Sequence, residues 1–167
     1  AFVLKYRVLP TPADPAVFRR EMTAVRTGKG PASFRPPAGT PPESLADGLA
    51  AIRHVRANAA KYGVDGARVG MMGFSAGAMT TMSVALANQP DARPAFIAPI
   101  YGSLEAVAVP ANPPPLFSAL ASNDAQFWKG GTGLIDSWRR AGGKVEFHLF
   151  QSGGHGFGLG EPGTTTV

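Results

Sequence analysis

Residues 68–82 constrain the fold of this chain more than any other stretch. An apolar run from Val69 to Met72 enters the pattern Gly73-Phe74-Ser75-Ala76-Gly77, and a stretch with helical character follows. The order of strand, sharp turn and helix holds Ser75 in a strained conformation at a helix N-terminus, where backbone N–H groups favour a developing anion. We expect Gly73 and Gly77 to remove side chains that would collide with neighbouring backbone.

Strand-like and helix-like segments alternate along the rest of the chain. Alternation of this kind predicts an α/β fold with a mostly parallel sheet of about five strands and flanking helices. The predicted strands are residues 1–8, 69–72, 95–100, 116–121 and 144–150, and the predicted helices are residues 45–62, 76–88 and 133–141. Residues 16–26 fit one short helix or a loop, and the Gly- and Pro-rich residues 27–42 predict an irregular loop. We find no internal repeat and expect a single domain over residues 1–167.

Composition narrows the classes of function. The net charge is +5, but the sixteen Lys and Arg residues are scattered without an aromatic ladder, which argues against a nucleic-acid partner. There are no cysteines, so disulfides, thiolate metal sites and thiol catalysis are excluded. No apolar run approaches the length of a membrane span. No spacing of histidines or carboxylates indicates a metal site.

Two polar residues follow strands at the edge of the sheet where Ser75 is expected. Asp124 comes after the strand at 116–121, and His155 comes after the strand at 144–150. Catalytic groups of open α/β sheets lie beyond the carboxyl ends of the strands. The chain order Ser75, Asp124, His155 therefore predicts a catalytic triad with the acid before the histidine.

The competing candidates fit this position less well. His54 lies off the apolar stripe of its helix, and His148 alternates with apolar residues inside a strand, so we expect structural roles for both. Two alternatives stay open for the candidates themselves. Asp124 could be a turn-forming residue, and His155 could be an ordinary loop histidine among glycines.

The sequence resembles the α/β-hydrolase esterases of the acetyl esterase and acetylxylan esterase kind, including proteins labelled "endo-1,4-β-xylanase B". The resemblance covers nearly the whole chain and is carried by Phe2-Val3-Leu4-Lys5-Tyr6-Arg7, by residues 47–59, by Gly73-Phe74-Ser75-Ala76-Gly77 and above all by Gly153-Gly154-His155-Gly156-Phe157-Gly158. It implies a reduced α/β-hydrolase fold, with Ser75 as nucleophile, Asp124 as acid and His155 as base. It implies no metal or organic cofactor. Ala78 stands where the family usually has a second glycine.

The resemblance also raises a question about the oxyanion hole. The N–H of Ala76, directly after the nucleophile, is the expected first donor. The family takes its second donor from a glycine-rich loop upstream of the strand that contains Tyr6, and no such loop is found in this sequence. We therefore expect either weak esterase activity or a replacement donor from elsewhere.

Compared with the family, the chain is expected to be truncated at its N-terminus and also to lack the closing C-terminal helix. One face of the sheet would then be bare, which predicts self-association as a homo-oligomer. The strand at residues 1–8 would lose its usual neighbour and would have to move inward or pair elsewhere.

Four aromatic residues flank the predicted site: Tyr101, Phe127, Trp128 and Phe157. They could line a small acyl pocket or simply pack against loops. The favoured function is a serine carboxylesterase for short acyl esters, with acetylated carbohydrate as one substrate. A serine peptidase of the same fold is the first alternative. The second is an interaction module that keeps the three residues without turnover.

Overall fold

The computed structural model describes residues 1–8, 10–26 and 40–158. Its elements in chain order are α1 (Pro15–Arg26), α2 (Pro42–Ala57), α3 (Ala59–Tyr62), β1 (Met71–Phe74), α4 (Ala76–Ala87), β2 (Ile97–Ile100), β3 (Leu116–Ala121), α5 (Gly133–Arg140) and β4 (Val145–Phe150). Most of the predicted loop at 27–42 lies outside the described residues. Within them, no helix has the length and apolar character needed to cross a membrane.

The four strands form one sheet in the order β1-β2-β3-β4, and every neighbouring pair is parallel. Chain order and spatial order are the same, and because neighbouring strands are parallel, each connection returns to the start of the next strand. The carboxyl ends of all four strands meet at one edge of the sheet. This arrangement confirms the predicted parallel α/β fold.

The predicted first strand is wrong. Residues 1–8 form no strand, so the described sheet has four strands instead of about five. Side chains of α2 satisfy the main chain at Arg7. Asp47 accepts the Arg7 N–H at 2.8 Å, and the Ser44 hydroxyl donates to the Arg7 carbonyl at 2.5 Å. These are the polar groups that a neighbouring strand would otherwise use, so the segment is fixed to α2 rather than to the sheet.

The helix predicted up to Tyr62 forms in two pieces. It breaks at Asn58, whose backbone N–H and side-chain amide both donate to the His54 carbonyl, at 3.1 and 2.8 Å. A side-chain bond of this kind competes with the regular helical ladder. The predicted end is confirmed, because Gly63 has a φ of 63° and caps α3 in the left-handed conformation.

One face of the sheet is covered by helices. Residues of β2 and β3 pack there against α4 and α5 in a buried cluster: Met82, Ala85, Ile97, Leu104, Leu116, Leu120, Leu134 and Trp138. Trp138 is fully buried, and its indole N–H donates to the Pro114 carbonyl at 2.8 Å. A second cluster joins α2 to α4 through Leu49, Ile52 and Val84, with Met71 of β1 packed against it. This core holds the start of α4 above the end of β1.

The opposite face of the sheet, which we call the bare face, keeps large apolar side chains exposed. On β1, Met72 and Phe74 lie on this face, paired with Ala98 and Ile100 of β2, respectively. On β3, Phe117 lies on the same face and pairs with Glu146 of β4. Phe96, two residues before Ala98, projects to the same side. Their exposed fractions are 58% for Met72, 53% for Phe74, 49% for Phe96 and 37% for Phe117. A face of this composition is typical of a surface that another element or molecule covers.

Candidate active site

Ser75 occupies the sharp turn between β1 and α4. Its φ of 51° and ψ of −113° are unusual for a residue with a side chain. Such a conformation costs about 1–3 kcal/mol and persists only where surrounding bonds hold it. Here the Ser75 N–H donates to the Ile100 carbonyl at 3.1 Å, and the Ser75 carbonyl accepts from Ala78 and Met79 at 2.9 and 3.2 Å. The turn therefore lifts the hydroxyl above the end of the sheet.

The two glycines of the motif have different roles. A Cβ at Gly73 would lie 2.1 Å from the Gly77 carbonyl oxygen, so this position must lack a side chain for β1 to meet α4. Among the described residues outside α4, a Cβ at Gly77 would come within 4 Å of one atom, the Tyr6 hydroxyl oxygen at 3.9 Å. The expected collision is confirmed at Gly73 and wrong at Gly77, because no backbone of the described residues outside α4 lies within 4 Å of that position.

His155 lies in a glycine-rich loop after β4. Gly153, Gly154 and Gly156 have φ values of 141°, 66° and 85°, a left-handed region that residues with side chains rarely adopt. The Gly154 N–H donates to Oδ1 of Asn123 at 2.8 Å, which ties this loop to the one after β3. The backbone on both sides of His155 thus turns the imidazole toward Ser75.

Asp124 is buried in the loop after β3. Its Oδ1 accepts the backbone N–H groups of Gln126 and Phe127 at 2.8 and 3.1 Å. Its Oδ2 lies 2.9 Å from Nδ1 of His155. The carboxylate therefore both forms the turn and holds the imidazole, so the turn-forming alternative and the acid role are compatible. These hydrogen bonds satisfy a group that would be costly to bury alone.

The structure brings Ser75, Asp124 and His155 together in one hydrogen-bonded chain. Oγ of Ser75 lies 2.8 Å from Nε2 of His155. Because Nδ1 faces a carboxylate, which accepts hydrogen bonds, the proton of the neutral ring belongs on Nδ1. Nε2 is then an acceptor that faces the serine hydroxyl. This geometry fits a nucleophile, a base and a group that orients the base.

Two aromatic rings pack against the imidazole of His155. Tyr101 and Phe127 each have ring centroids 5.4 Å from that of His155, and Phe157 packs edge-on against Tyr101 at 5.2 Å. Burial raises the pKa of the Tyr101 phenol above its usual value. Trp128 begins a short 3-10 helix and is 40% exposed. Three of the four predicted aromatic residues thus lie in this ring cluster, and the fourth, Trp128, directly follows Phe127 in the chain.

The remaining candidates lie elsewhere. Nε2 of His54 is hydrogen-bonded to the Tyr62 hydroxyl at 2.9 Å, and His148 pairs with Glu146 at 2.8 Å on the bare face. In the part of the chain that the structure describes, no group of three potential ligands could hold a metal ion. Ala76 is the first residue of α4, where backbone N–H groups have no partner within the helix.

Sequence reasoning missed two residues near the site. Asn123, which anchors the His155 loop, is adjacent to Asp124 but carries no motif of its own. Tyr6 lies about seventy residues before Gly77 in the chain, and its hydroxyl approaches the first turn of α4. Neither contact follows from periodicity or spacing.

With this geometry established, the chain can be compared with known proteins. A family model described as alpha/beta hydrolase fold matches residues 35–128, more than half of the chain. The chain belongs to the α/β hydrolase fold family. Ser75 and Asp124 lie inside the matched range, whereas His155 lies beyond it. No curated protein sequence matches the chain.

Solved structures share the fold. An acetyl ester-xyloside bifunctional hydrolase from Caldicellulosiruptor lactoaceticus is 25% identical with a TM-score of 0.61, over 72% of this chain and 59% of that one. MGS-M1, an alpha/beta hydrolase enzyme from a Medee basin deep-sea metagenome library, is 26% identical with a TM-score of 0.60, over 69% and 51%. A propionate-bound thermophilic esterase from Thermogutta terrifontis, at 20% identity and a TM-score of 0.61, shares the fold over 71% and 58%. The chain therefore spans between half and three fifths of these proteins.

Proposed function

We propose that this protein is a serine carboxylesterase that hydrolyses short-chain acyl esters through an acyl-enzyme. The observation that carries the proposal is the hydrogen-bonded chain from Ser75 Oγ through His155 to Asp124, with distances of 2.8 and 2.9 Å. Membership of the α/β hydrolase fold family and the fold shared with esterases support the same reaction class.

In the proposed mechanism, Nε2 of His155 takes the proton of Ser75 as Oγ attacks the ester carbonyl. The carbonyl electron pair moves onto its oxygen, and the Ala76 N–H donates to the anion that forms. Asp124 stabilises the imidazolium and keeps the proton on Nδ1. The imidazolium then protonates the departing alcohol, and a water molecule activated by His155 hydrolyses the acyl-enzyme. These steps need no metal or organic cofactor.

The substrate is proposed to be a small acyl ester, with an acetylated carbohydrate as one candidate. The rings of Tyr101 and Phe127 lie beside the imidazole and Phe157 packs against Tyr101, and this apolar boundary fits a short acyl group. Trp128, which follows Phe127 in the chain, is proposed to contribute to the same boundary. The acetyl ester-xyloside hydrolase with the same fold supports an acetylated sugar.

The test is hydrolysis of p-nitrophenyl acetate beside a peptide p-nitroanilide, with wild type, Ser75→Ala, His155→Ala and His54→Ala. We expect turnover of the ester, and we expect each of the first two substitutions to lower kcat by at least about 10³-fold. His54→Ala is the matched control and should leave kcat unchanged. Faster cleavage of the anilide than of the ester would favour the peptidase alternative.

A second candidate function is an interaction module without turnover, and the exposed apolar side chains of the bare face favour it. A fluorophosphonate probe distinguishes the two. Labelling that disappears in Ser75→Ala supports the esterase, while an unlabelled, inactive wild type supports the module. For either function we propose that the bare face pairs with a second copy of the chain as a homo-oligomer.

A further inference from the structure

Tyr6 places a hydroxyl beside the start of α4, the helix that begins directly after Ser75. Its oxygen is 3.9 Å from the position that a Cβ of Gly77 would take. The side chain is half-buried, and within the described residues no hydrogen bond to its hydroxyl is found. Among the described residues the phenol O–H thus donates to no acceptor, and it lies near the first turn of α4, which begins at Ala76.

The segment that carries Tyr6 is fixed at both ends. On one side the Phe2 ring packs against Tyr62 at a centroid distance of 4.9 Å. On the other, the Arg7 guanidinium grips Asp47 with contacts of 2.6 to 3.1 Å, in addition to the two main-chain bonds of Arg7 to α2. Tyr6 is thus held between two fixed points. A side chain that takes part in catalysis needs to be positioned in this way.

The placement of Tyr6 relative to His155 also fits a role in binding the oxyanion. His155 follows β4, the strand at the far edge of the sheet from β1. Tyr6 is held by α2, which packs against α4 and against Met71 of β1. A base and an oxyanion donor must stand on different sides of the attacked carbonyl, because the carbonyl oxygen points away from the base. The segments that carry the two side chains are therefore attached near opposite edges of the described sheet, His155 after β4 and Tyr6 beside α2 and β1.

We propose that the Tyr6 hydroxyl is the second oxyanion donor of this site, beside the Ala76 N–H. The inference rests on the proposed esterase function. As Ser75 Oγ bonds to the carbonyl carbon, the π electron pair moves to the carbonyl oxygen, and Tyr6 donates a hydrogen bond to it. The phenol keeps its proton throughout; the proton of Ser75 goes to His155 and then to the leaving alcohol. Collapse of the intermediate returns the electron pair and releases the bond to Tyr6.

The test compares Tyr6→Phe with Tyr62→Phe, both in the full chain. Each loses one hydroxyl from the same anchored region, but the Tyr62 hydroxyl bonds to His54, away from Ser75. For p-nitrophenyl acetate we expect Tyr6→Phe to lower kcat by about 10²-fold with KM nearly unchanged, since a single oxyanion donor is worth about 10²–10³ in kcat. Tyr62→Phe should remain within about twofold of wild type, as expected for a group that contacts no reacting atom.

A transition-state analogue separates a donor from a merely structural residue. A trifluoromethyl ketone forms a hemiketal oxyanion with the serine, so Tyr6→Phe should weaken its inhibition constant by about the same factor as kcat. The affinity for a non-reacting ester analogue should not change. A fall in both affinities, or equal kcat for Tyr6→Phe and wild type, would overturn the inference while leaving the esterase proposal intact. Absence of Ser75-dependent turnover in wild type would instead overturn the proposed function.

Discussion

At the scale of single residues, the two oxygens of Asp124 have separate partners. Oδ1 accepts two backbone N–H groups of its own turn, and Oδ2 faces His155. In Asp124→Asn the amide oxygen must keep the Oδ1 position, because only an acceptor fits the two N–H donors. The amide NH₂ then faces Nδ1 and favours the wrong tautomer of the imidazole.

We expect Asp124→Asn to lower kcat by about 10⁴-fold while the melting temperature changes little. Asp124→Ala removes the turn acceptor of the Gln126 and Phe127 N–H groups as well, so it should also lower the free energy of unfolding, by about 1 kcal/mol. Ester kinetics and thermal denaturation of both variants check this. An Asn variant with kcat within tenfold of wild type would contradict the assigned orientation of His155.

The three residues of the proposed triad could be predicted because each follows a strand, and parallel strands end at the same edge of the sheet. The structure adds the hydrogen bonds that join the three side chains, and their catalytic roles stay a proposal. Tyr6 and Asn123 could not be predicted, because neither belongs to a recognisable catalytic motif and the segment that contains Tyr6 forms no strand whose end would place it. The reason given for Gly77 was wrong because it assumed a backbone neighbour that the sequence does not specify.

At the scale of elements, the packing of β1 against α4 predicts opposite effects on stability when its two glycines are replaced by alanine. Gly73→Ala forces a methyl group into the Gly77 carbonyl and should lower the free energy of unfolding by roughly 1–3 kcal/mol, with a large loss of activity as Ser75 moves. In Gly77→Ala the methyl group would lie at an ordinary contact distance of 3.9 Å from the Tyr6 hydroxyl, so stability should be unchanged or rise by up to about 1 kcal/mol, because alanine favours the helix. Urea denaturation measures both. Equal destabilisation by the two would show that the junction is packed differently.

The attachment of residues 1–8 to α2 should depend on pH. The Arg7 guanidinium and N–H lower the pKa of the Asp47 carboxyl from 3.8 to about 2. Because the folded-state pKa is the lower one, the contribution to stability is complete above the ordinary value and is lost as the pH falls toward 2. Hydrogen-exchange protection of the Arg7 amide, which donates to Asp47, should therefore decrease over this range.

Two variants provide controls for that titration. Asp47→Ala should abolish the protection of the Arg7 amide at every pH. Asp91→Ala removes a different ion pair, with Arg53, and should leave the protection and its pH dependence unchanged. Protection of Arg7 that persists in Asp47→Ala would mean that another contact holds the segment.

Regular elements were predictable where local pattern and tertiary packing agree. The strands near β2, β3 and β4 and the helix α4 lie where alternation and helical spacing put them. Residues 1–8 are rich in β-formers, yet they form no strand, because polar side chains of α2 take the main-chain groups of Arg7. β-propensity describes how well a residue fits beside a neighbouring strand. The sequence alone does not indicate that the main-chain groups of Arg7 bind side chains of α2 instead.

At the scale of the whole molecule, the bare face exposes large apolar side chains that a monomer would leave in contact with water. We expect self-association, which light scattering would detect as a mass above that of one 17.3 kDa chain. Joint substitution of Met72→Ser and Phe117→Ser should shift the mass toward the monomer. Val3→Ser, at a position 99% exposed, is the control and should not. A wild-type monomer at all concentrations would contradict the expected pairing.

The most direct test of the central claim is rapid-mixing kinetics with p-nitrophenyl acetate. If Ser75 is acylated with His155 as base, p-nitrophenol should appear in a burst whose amplitude equals the enzyme concentration, followed by slower turnover. The burst should vanish in Ser75→Ala and slow by at least about 10³-fold in His155→Ala. A burst of undiminished amplitude and rate in both variants would contradict the account.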